Sequence, residues 1–129
     1  MSGRNRMAIV AGALRMASGV SFLISPEKAN VLWGGTPDES ATASLLLRSM
    51  GYRDALVGGM LLRAGWQGDP TASGWFLASA GADLADLVGG IANHDRLPEK
   101  SRTRGIGGAI AGVGIGAIGA LMARRTARR

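Results

Sequence analysis

Four apolar stretches recur along the chain, each bounded by residues that end or punctuate helices. Residues 7–24 stop at Ser25-Pro26, residues 42–62 and 73–92 flank a connector holding Gly68-Asp69-Pro70, and residues 105–123 run into an arginine-rich end. At 1.5 Å per residue each stretch is ~27–32 Å long as a helix, matching a hydrocarbon core of about 30 Å. The connectors 25–41, 63–72 and 93–104 contain Pro26, Gly34-Gly35-Thr36-Pro37, Pro70 and Pro98, which mark turns. Within the first of them, residues 27–33 suit a short surface turn. No segment alternates with the period of a strand, and no unit of repeat length recurs. The pattern predicts an all-α protein: a membrane-embedded antiparallel bundle of four transmembrane helices, with a basic tail over residues 124–129.

Composition narrows the alternatives. Hydrophobic residues make up 47% of the 129 and charged residues 19%, against about a quarter charged in soluble domains. Mean hydropathy is +0.15, the opposite of the balance that keeps a chain disordered. The absence of cysteine removes disulfides, thiolate nucleophiles and cysteine–zinc sites, and a single histidine leaves little for metal chemistry. A soluble four-helix protein would need wet faces. The residues around the helix charges are instead Leu, Val, Ala, Gly and Met, and residues 105–123 carry no polar side chain. Arg4 and Arg6 before the first apolar run imitate a signal peptide. Arg15 interrupts that run near its middle, so the segment reads as a retained first helix.

Six charges fall inside the first three stretches: Arg15, Arg48, Arg53, Asp54, Asp83 and Asp86. An ionised side chain at the centre of a bilayer helix costs ~2.5–3.5 kcal/mol on insertion scales, so these groups are expected to face one another. Asp83 and Asp86, three apart, share a helix face with Ser79 and Gly90. Ala8, Gly12, Arg15 and Gly19 form a similar strip, and Asp54 is expected to share a face with Gly51 and Gly58. Arg53 points about 100° away from Asp54, so one neighbouring helix cannot easily hold both. The expectation is an intramembrane ion-pair network of these six residues, with Arg48, in the first two turns of its stretch, also able to snorkel toward a headgroup. It can act as a structural clamp that sets which helices pack and in what register, or as a proton relay or solute site. Without histidine or glutamate in the spans, the clamp is preferred.

Around these charges the chain resembles the DUF4267 family. Gly51-Tyr52-Arg53-Asp54 followed by Ala55-Leu56-Val57-Gly58-Gly59-Met60-Leu61-Leu62 is similar to that family's G-x-R-D-x-x-x-G-x-x-L-L stretch. Arg15, Ser25-Pro26 and Trp33-Gly34 match its arginine, helix-ending proline and following glycine, and Asp83 and Asp86 fall where its members carry an aspartate. The resemblance covers roughly residues 8–95; the family's members are uncharacterised small bacterial polytopic membrane proteins, so it implies four spans and a membrane address but no mechanism.

Gly114, Gly116 and Gly119 spell G-x-G-x-x-G, but no strand precedes them and no turn fits inside an apolar span. At four-residue spacing Gly108, Gly112, Gly116 and Ala120 instead form a ridge suited to close helix packing, within the chain or between copies. Trp33, Trp66 and Trp75 fall near helix ends, where indoles anchor at a membrane interface. His94 beside Asp95 and Arg96 reads as a solvated loop histidine. Ser18 and Ser79 have no base near them, and Asp83 with Asp86 has no evident cleft for acid–base work. No catalytic residue, metal site or cofactor is expected.

The net charge of +6 would suit nucleic acid, and a soluble basic DNA-binding protein is one alternative. By position, however, the six span charges cancel, and the excess lies in the termini and the third connector (Arg96, Lys100, Arg102, Arg104). Arg124, Arg125, Arg128 and Arg129 follow an apolar helix directly, which suits anionic lipid and not nucleic acid. With four spans the termini share a side carrying seven Lys and Arg, against five on the other. This favours cytoplasmic termini in a bacterial inner membrane. The crowded third connector leaves three spans open. The expected role is a non-enzymatic structural or accessory membrane component whose partners are the bilayer and a second copy or another membrane protein. The alternative is a small transporter or proton-coupled permease.

Overall fold

The computed structural model describes residues 3–34, 40–97 and 99–129. The turn residues Gly35, Thr36, Pro37 and Pro98 lie outside them. Among the described residues there are five helices and no strand: α1 (Arg6–Ile24), α2 (Pro26–Leu32), α3 (Ala41–Gln67), α4 (Ala72–Ala92) and α5 (Glu99–Ala127). A 3-10 turn, His94–Arg96, precedes α5, and a π-helical turn, Arg102–Ile106, lies within its first half.

The helix ends follow from local chemistry. Asn5 Oδ1 accepts the Ala8 N–H at 3.1 Å, capping α1, and Ser40 Oγ accepts the Ala43 N–H at 3.1 Å, capping α3. Pro26 has no N–H for an intrahelical bond, so α1 stops before it and α2 restarts on it at N1. The segment expected as a turn over 27–33 is therefore a two-turn helix. Gly68, at φ 65°, ends α3 in the left-handed conformation that favours glycine.

Several helices run past the expected limits of their apolar stretches. α3 runs on through Arg63 to Gln67, α5 begins at Glu99 inside the third connector, and it continues through Arg124 and Arg125. Hydrophobicity marks where a helix can be buried, whereas the helix itself ends at a breaker, and none stands at these positions.

α1 runs antiparallel to α3 in contact along its whole length. The Asn5 N–H donates to the Gly65 carbonyl at 2.8 Å, Gly12 meets Gly58, and Gly19 meets Gly51. α4 pairs antiparallel with α5 through Gly90 and Ile106, Asp83 and Gly112, and Phe76 and Gly119. The two pairs touch each other less closely than the helices within each pair. At one end of the bundle Ala8, Leu61, Ala64, Ala72, Phe76, Ala120 and Ala123 form the apolar core.

The distribution of side-chain size is inverted relative to a water-soluble bundle. Most of the buried apolar residues are alanine, while Leu14 (69% exposed), Ile24 (76%) and Leu45 (66%) point outward with Val88 and Ile110. Small residues inside and large aliphatics outside suit a hydrocarbon solvent, in which close backbone packing drives association. Three helices, α1, α4 and α5, are long and apolar enough to cross a membrane. α3 is long enough at 27 residues, but Arg48, Arg53, Asp54 and Arg63 make it less apolar than the other three.

Asp69 shapes the α3–α4 turn, its Oδ1 accepting the Thr71 N–H at 2.8 Å. That backbone bond holds the carboxyl below its ordinary range. The stabilisation is present above the unfolded value, about 3.9, and is lost as pH falls through the lower folded value. The stability difference between wild type and Asp69→Asn, followed by unfolding in detergent, is expected to shrink through that acid window. A difference unchanged to the bottom of the window would exclude an ionic contribution from Asp69.

Candidate functional site

The middle turns of α1, α3 and α4 bring five of the six span charges together. Arg15 of α1 stands between two carboxylates. Its Nη1 donates to Asp54 Oδ1 at 2.8 Å, its Nη2 pairs with Asp83 Oδ2, and Nη2 also reaches the Ser79 carbonyl at 3.5 Å. Asp54 Oδ1 accepts a second bond from Arg53 Nε at 3.1 Å. Arg53 then grips Asp86 with both terminal nitrogens, Nη1 to Oδ1 at 3.2 Å and Nη2 to Oδ2 at 3.0 Å. The result is an alternating chain, Asp83–Arg15–Asp54–Arg53–Asp86, whose two ends lie one turn apart on α4.

Glycine geometry makes this chain possible. Ala8, Gly12, Gly19 and Phe22 are the buried positions of α1, and Gly51, Asp54 and Gly58 lie on the buried face of α3. A Cβ at Gly12 would stand 2.6 Å from the Gly58 carbonyl oxygen, and one at Gly58 would stand 2.7 Å from that of Gly12. With backbones in such contact, Arg15 emerges beside α3 and its planar guanidinium spans from Asp54 to α4. The angular offset between Arg53 and Asp54 divides their work: α1 holds Asp54, and Arg53 reaches across to Asp86.

Arg15, Asp54 and Asp83 are 12–13% exposed at their side chains, and Arg53 and Asp86 are 34% and 40%. The chain is thus sealed around Arg15, from Asp83 to Asp54, and opens outward at Asp86. It contains three carboxylates and two guanidiniums, one negative charge more than balance.

Arg48 does not belong to this chain. Six residues before Asp54, it lies on the far side of α3, where it is exposed, and it forms no ion pair among the described residues. Without it the expected cancellation of three arginines against three aspartates becomes two against three.

The glycine ridge of α5 packs within the chain, against α4. A side chain at Gly112 would overlap the Asp83 carboxylate, so this glycine is the seat that admits Asp83 between the two helices. Gly116 lies against Ala80 and the Phe76 backbone, Gly119 lies under the Phe76 ring, and Ala120 is in the core. Gly108 is exposed and lies beneath the Trp33 indole. Sequence spacing identified the ridge, but nothing in the spacing marked Gly112 as the partner of a carboxylate.

Trp66 and Trp75 stand at one end of the bundle and Trp33 at the other. Arg4 lies over the Trp66 ring, 4.0 Å from its centroid, and Trp75 packs partly buried against the core. Arg124, Arg125, Arg128 and Arg129 are exposed. His94 Nδ1 lies 3.3 Å from Asp95 Oδ1 at the surface. Among the described residues no cluster of three metal-ligating side chains occurs. The third connector's cations are partly engaged, Arg102 Nε donating to the Leu97 carbonyl at 3.0 Å and Arg104 Nη1 to the Leu32 carbonyl at 2.8 Å. The second bond satisfies an open carbonyl at the end of α2.

A family model described as a domain of unknown function, DUF4267, matches residues 12–122. The match includes every member of the ion-pair chain and most of α5, so it extends well beyond the residues on which the sequence resemblance rested. No curated protein and no solved structure matches the chain.

Proposed function

The chain belongs to the DUF4267 family, a domain of unknown function, and we propose that it is a non-enzymatic structural or accessory membrane protein held in register by its ion-pair chain. The observation that carries this reading is the unbroken alternation Asp83–Arg15–Asp54–Arg53–Asp86 across α1, α3 and α4. It ties the α1/α3 pair to the α4/α5 pair at mid-length, where glycines and alanines supply little side-chain interlock. Each charge has a fixed opposite neighbour, as a device that sets register requires.

In this reading all four long helices cross the bilayer. α3 has too many charges to qualify by composition, but it lies against α1 from Asn5–Gly65 to Gly19–Gly51. Two of its charges, Arg53 and Asp54, point into the bundle. A helix whose central charges are paired inside the protein presents Leu45, Leu46, Tyr52 and Leu56 to lipid, with Arg48 exposed near its start. Four spans put both termini on one side, and the seven-to-five distribution of Lys and Arg supports the cytoplasmic side of a bacterial inner membrane. The tryptophans then serve as interface anchors and the terminal arginines face anionic lipid. The partner is a second copy or another membrane protein, with no nucleic acid and no cofactor involved.

Charge reversal tests the clamp. Asp86→Arg alone sets two arginines against each other, and accumulation in membranes is expected to fall several-fold. Adding Arg53→Asp restores an opposite pair between positions 53 and 86 and should recover part of the loss, the link to Asp54 remaining broken. Failure of the double variant to recover would remove the main support for a clamp.

The extra carboxylate favours one competing reading, a small proton-coupled permease. Flux in proteoliposomes that is abolished by Asp83→Asn, with accumulation unchanged, would replace the clamp by that reading.

A further inference from the structure

At the end of the bundle opposite the apolar core, a cavity of about 610 Å³ opens between α1, the end of α2 and the start of α5. Its walls are Ala17, Ser18 and Ser21 of α1, Leu32 and Trp33, and Thr103, Arg104 and Gly108 of α5. The volume falls within the ~300–1,000 Å³ range of small-molecule sites, and the lining is largely apolar with one ionised group.

Three features show how the fold builds this site. The π-helical turn Arg102–Ile106 falls at the rim, and such turns shift the side chains that follow them out of regular helical phase. Thr103 and Arg104, both within it, line the cavity. Gly108, one helical turn deeper, lets the Trp33 indole lie across α5, since a Cβ there would stand 3.2 Å from the ring. Arg104 is fixed at the rim by its bond from Nη1 to the Leu32 carbonyl, which leaves the rest of its guanidinium edge available to an anion. Arg104 immediately precedes the apolar run of α5 and Trp33 ends α2, so both stand at headgroup level in the four-span reading.

We infer that this cavity binds an anionic amphiphile, with its acyl chain between α1 and α5 and its charged head on Arg104. The apolar walls accept the chain, the single cation selects the sign of the head, and Ser18 and Thr103 offer hydroxyls for its remaining oxygens, the Ser21 hydroxyl donating instead to the Ser18 carbonyl. A phospholipid phosphate and a fatty-acid carboxylate share this chemistry. A neutral amphiphile gains nothing at Arg104, and a free phosphate gains nothing from the walls. The inference takes from the proposed function only that these helices lie in lipid. It does not depend on the ion-pair clamp, which is tested by accumulation of the Arg53 and Asp86 variants.

The experiment uses the full chain in detergent micelles with Trp66→Phe and Trp75→Phe, so that Trp33 alone fluoresces. Brominated-acyl phosphatidylglycerol, phosphatidylcholine and oleate are titrated in separate arms, and inorganic phosphate is added as a competitor. At least one anionic probe is expected to quench Trp33 at roughly tenfold lower concentration than phosphatidylcholine, and the stronger anionic arm identifies the source. Arg104→Gln should abolish the preference and Arg104→Lys retain most of it. Ala17→Phe, an exposed wall position remote from the Arg104 bond, should weaken quenching by every amphiphile while leaving the fold unchanged by circular dichroism. Equal quenching by anionic and neutral lipids in the unmodified cavity would overturn the inference. So would a preference surviving Arg104→Gln, or full displacement by millimolar phosphate.

Discussion

Replacing Arg15 by leucine is expected to destabilise the bundle by about 3–5 kcal/mol, the range found when one partner of a buried ion pair is removed. Arg15 is the only member of the chain that joins α1 to α4, and it serves Asp54 and Asp83 at once. Its loss affects the two acids unequally. Asp54 keeps Arg53, whereas Asp83 is left in the cleft against Gly112 with no cation among its described contacts. The second substitution follows from that asymmetry. Asp83→Asn on the Arg15→Leu background removes the stranded charge and should recover a substantial part of the stability, while Asp54→Asn on the same background should recover less. Arg15→Lys should fall between leucine and wild type, because an ammonium cannot span two carboxylates and a carbonyl as a planar guanidinium does. Thermal unfolding in detergent and steady-state accumulation in membranes measure these effects. Equal recovery by the two asparagine variants would show that the charges act as a diffuse cluster and not as an ordered chain.

Gly19→Leu should be comparably severe for a different reason. Even the first carbon of a side chain at Gly19 would stand 2.5 Å from the Gly51 carbonyl oxygen and 2.9 Å from Ala55 Cα. Both are backbone atoms of α3, so no rotamer change relieves the clash and α1 must move away. Overpacking in a close-packed interior costs ~1–3 kcal/mol, and here the movement also carries Arg15 away from Asp54. Gly19→Ala should reproduce the effect in milder form. Gly114→Leu is the matched control, because nothing lies within 4 Å of a Cβ at that position and the new side chain would point toward lipid. Helix propensity favours leucine over glycine at both positions, so a loss of stability in Gly114→Leu equal to that in Gly19→Leu would mean that close approach of α1 and α3 is not what makes Gly19 sensitive.

Arg15 and Gly19 belong to one design. Without aliphatic interlock, the α1/α3 pair is positioned by backbone contact at Gly12–Gly58 and Gly19–Gly51. That contact brings Arg15 within reach of Asp54. On the other pair, Gly112 performs the reciprocal task by making room for Asp83.

Much of this was legible in advance. The faces Ala8–Gly12–Gly19 and Gly51–Asp54–Gly58 follow from spacing by three, four and seven, which places residues on one side of a helix whatever surrounds it. The expectation that Arg15, Arg53, Asp54, Asp83 and Asp86 meet follows from the expense of leaving ions in hydrocarbon. Arg48 shares their apolar stretches but lies within the first two turns of its own, where it can snorkel toward a headgroup. Its exclusion depends on direction around the α3 axis relative to α1 and α4. The cavity was not legible at all, since Ser18, Leu32, Trp33 and Arg104 lie far apart in the chain, and the π-turn that presents Arg104 leaves no compositional mark.

Residue type and spacing suffice to make the chain helical, to suit its long helices to an apolar solvent, and to require that its internal charges be paired. These are consequences of local periodicity and transfer free energy, which depend on residue type and spacing alone. The order Asp83–Arg15–Asp54–Arg53–Asp86, the one carboxylate in excess and the place of Arg104 at the rim of a cavity arise from how the helices are assembled. Those depend on the rotation and register of one helix against another, which are set by backbone contacts at a few glycines and cannot be summed from the helices taken singly.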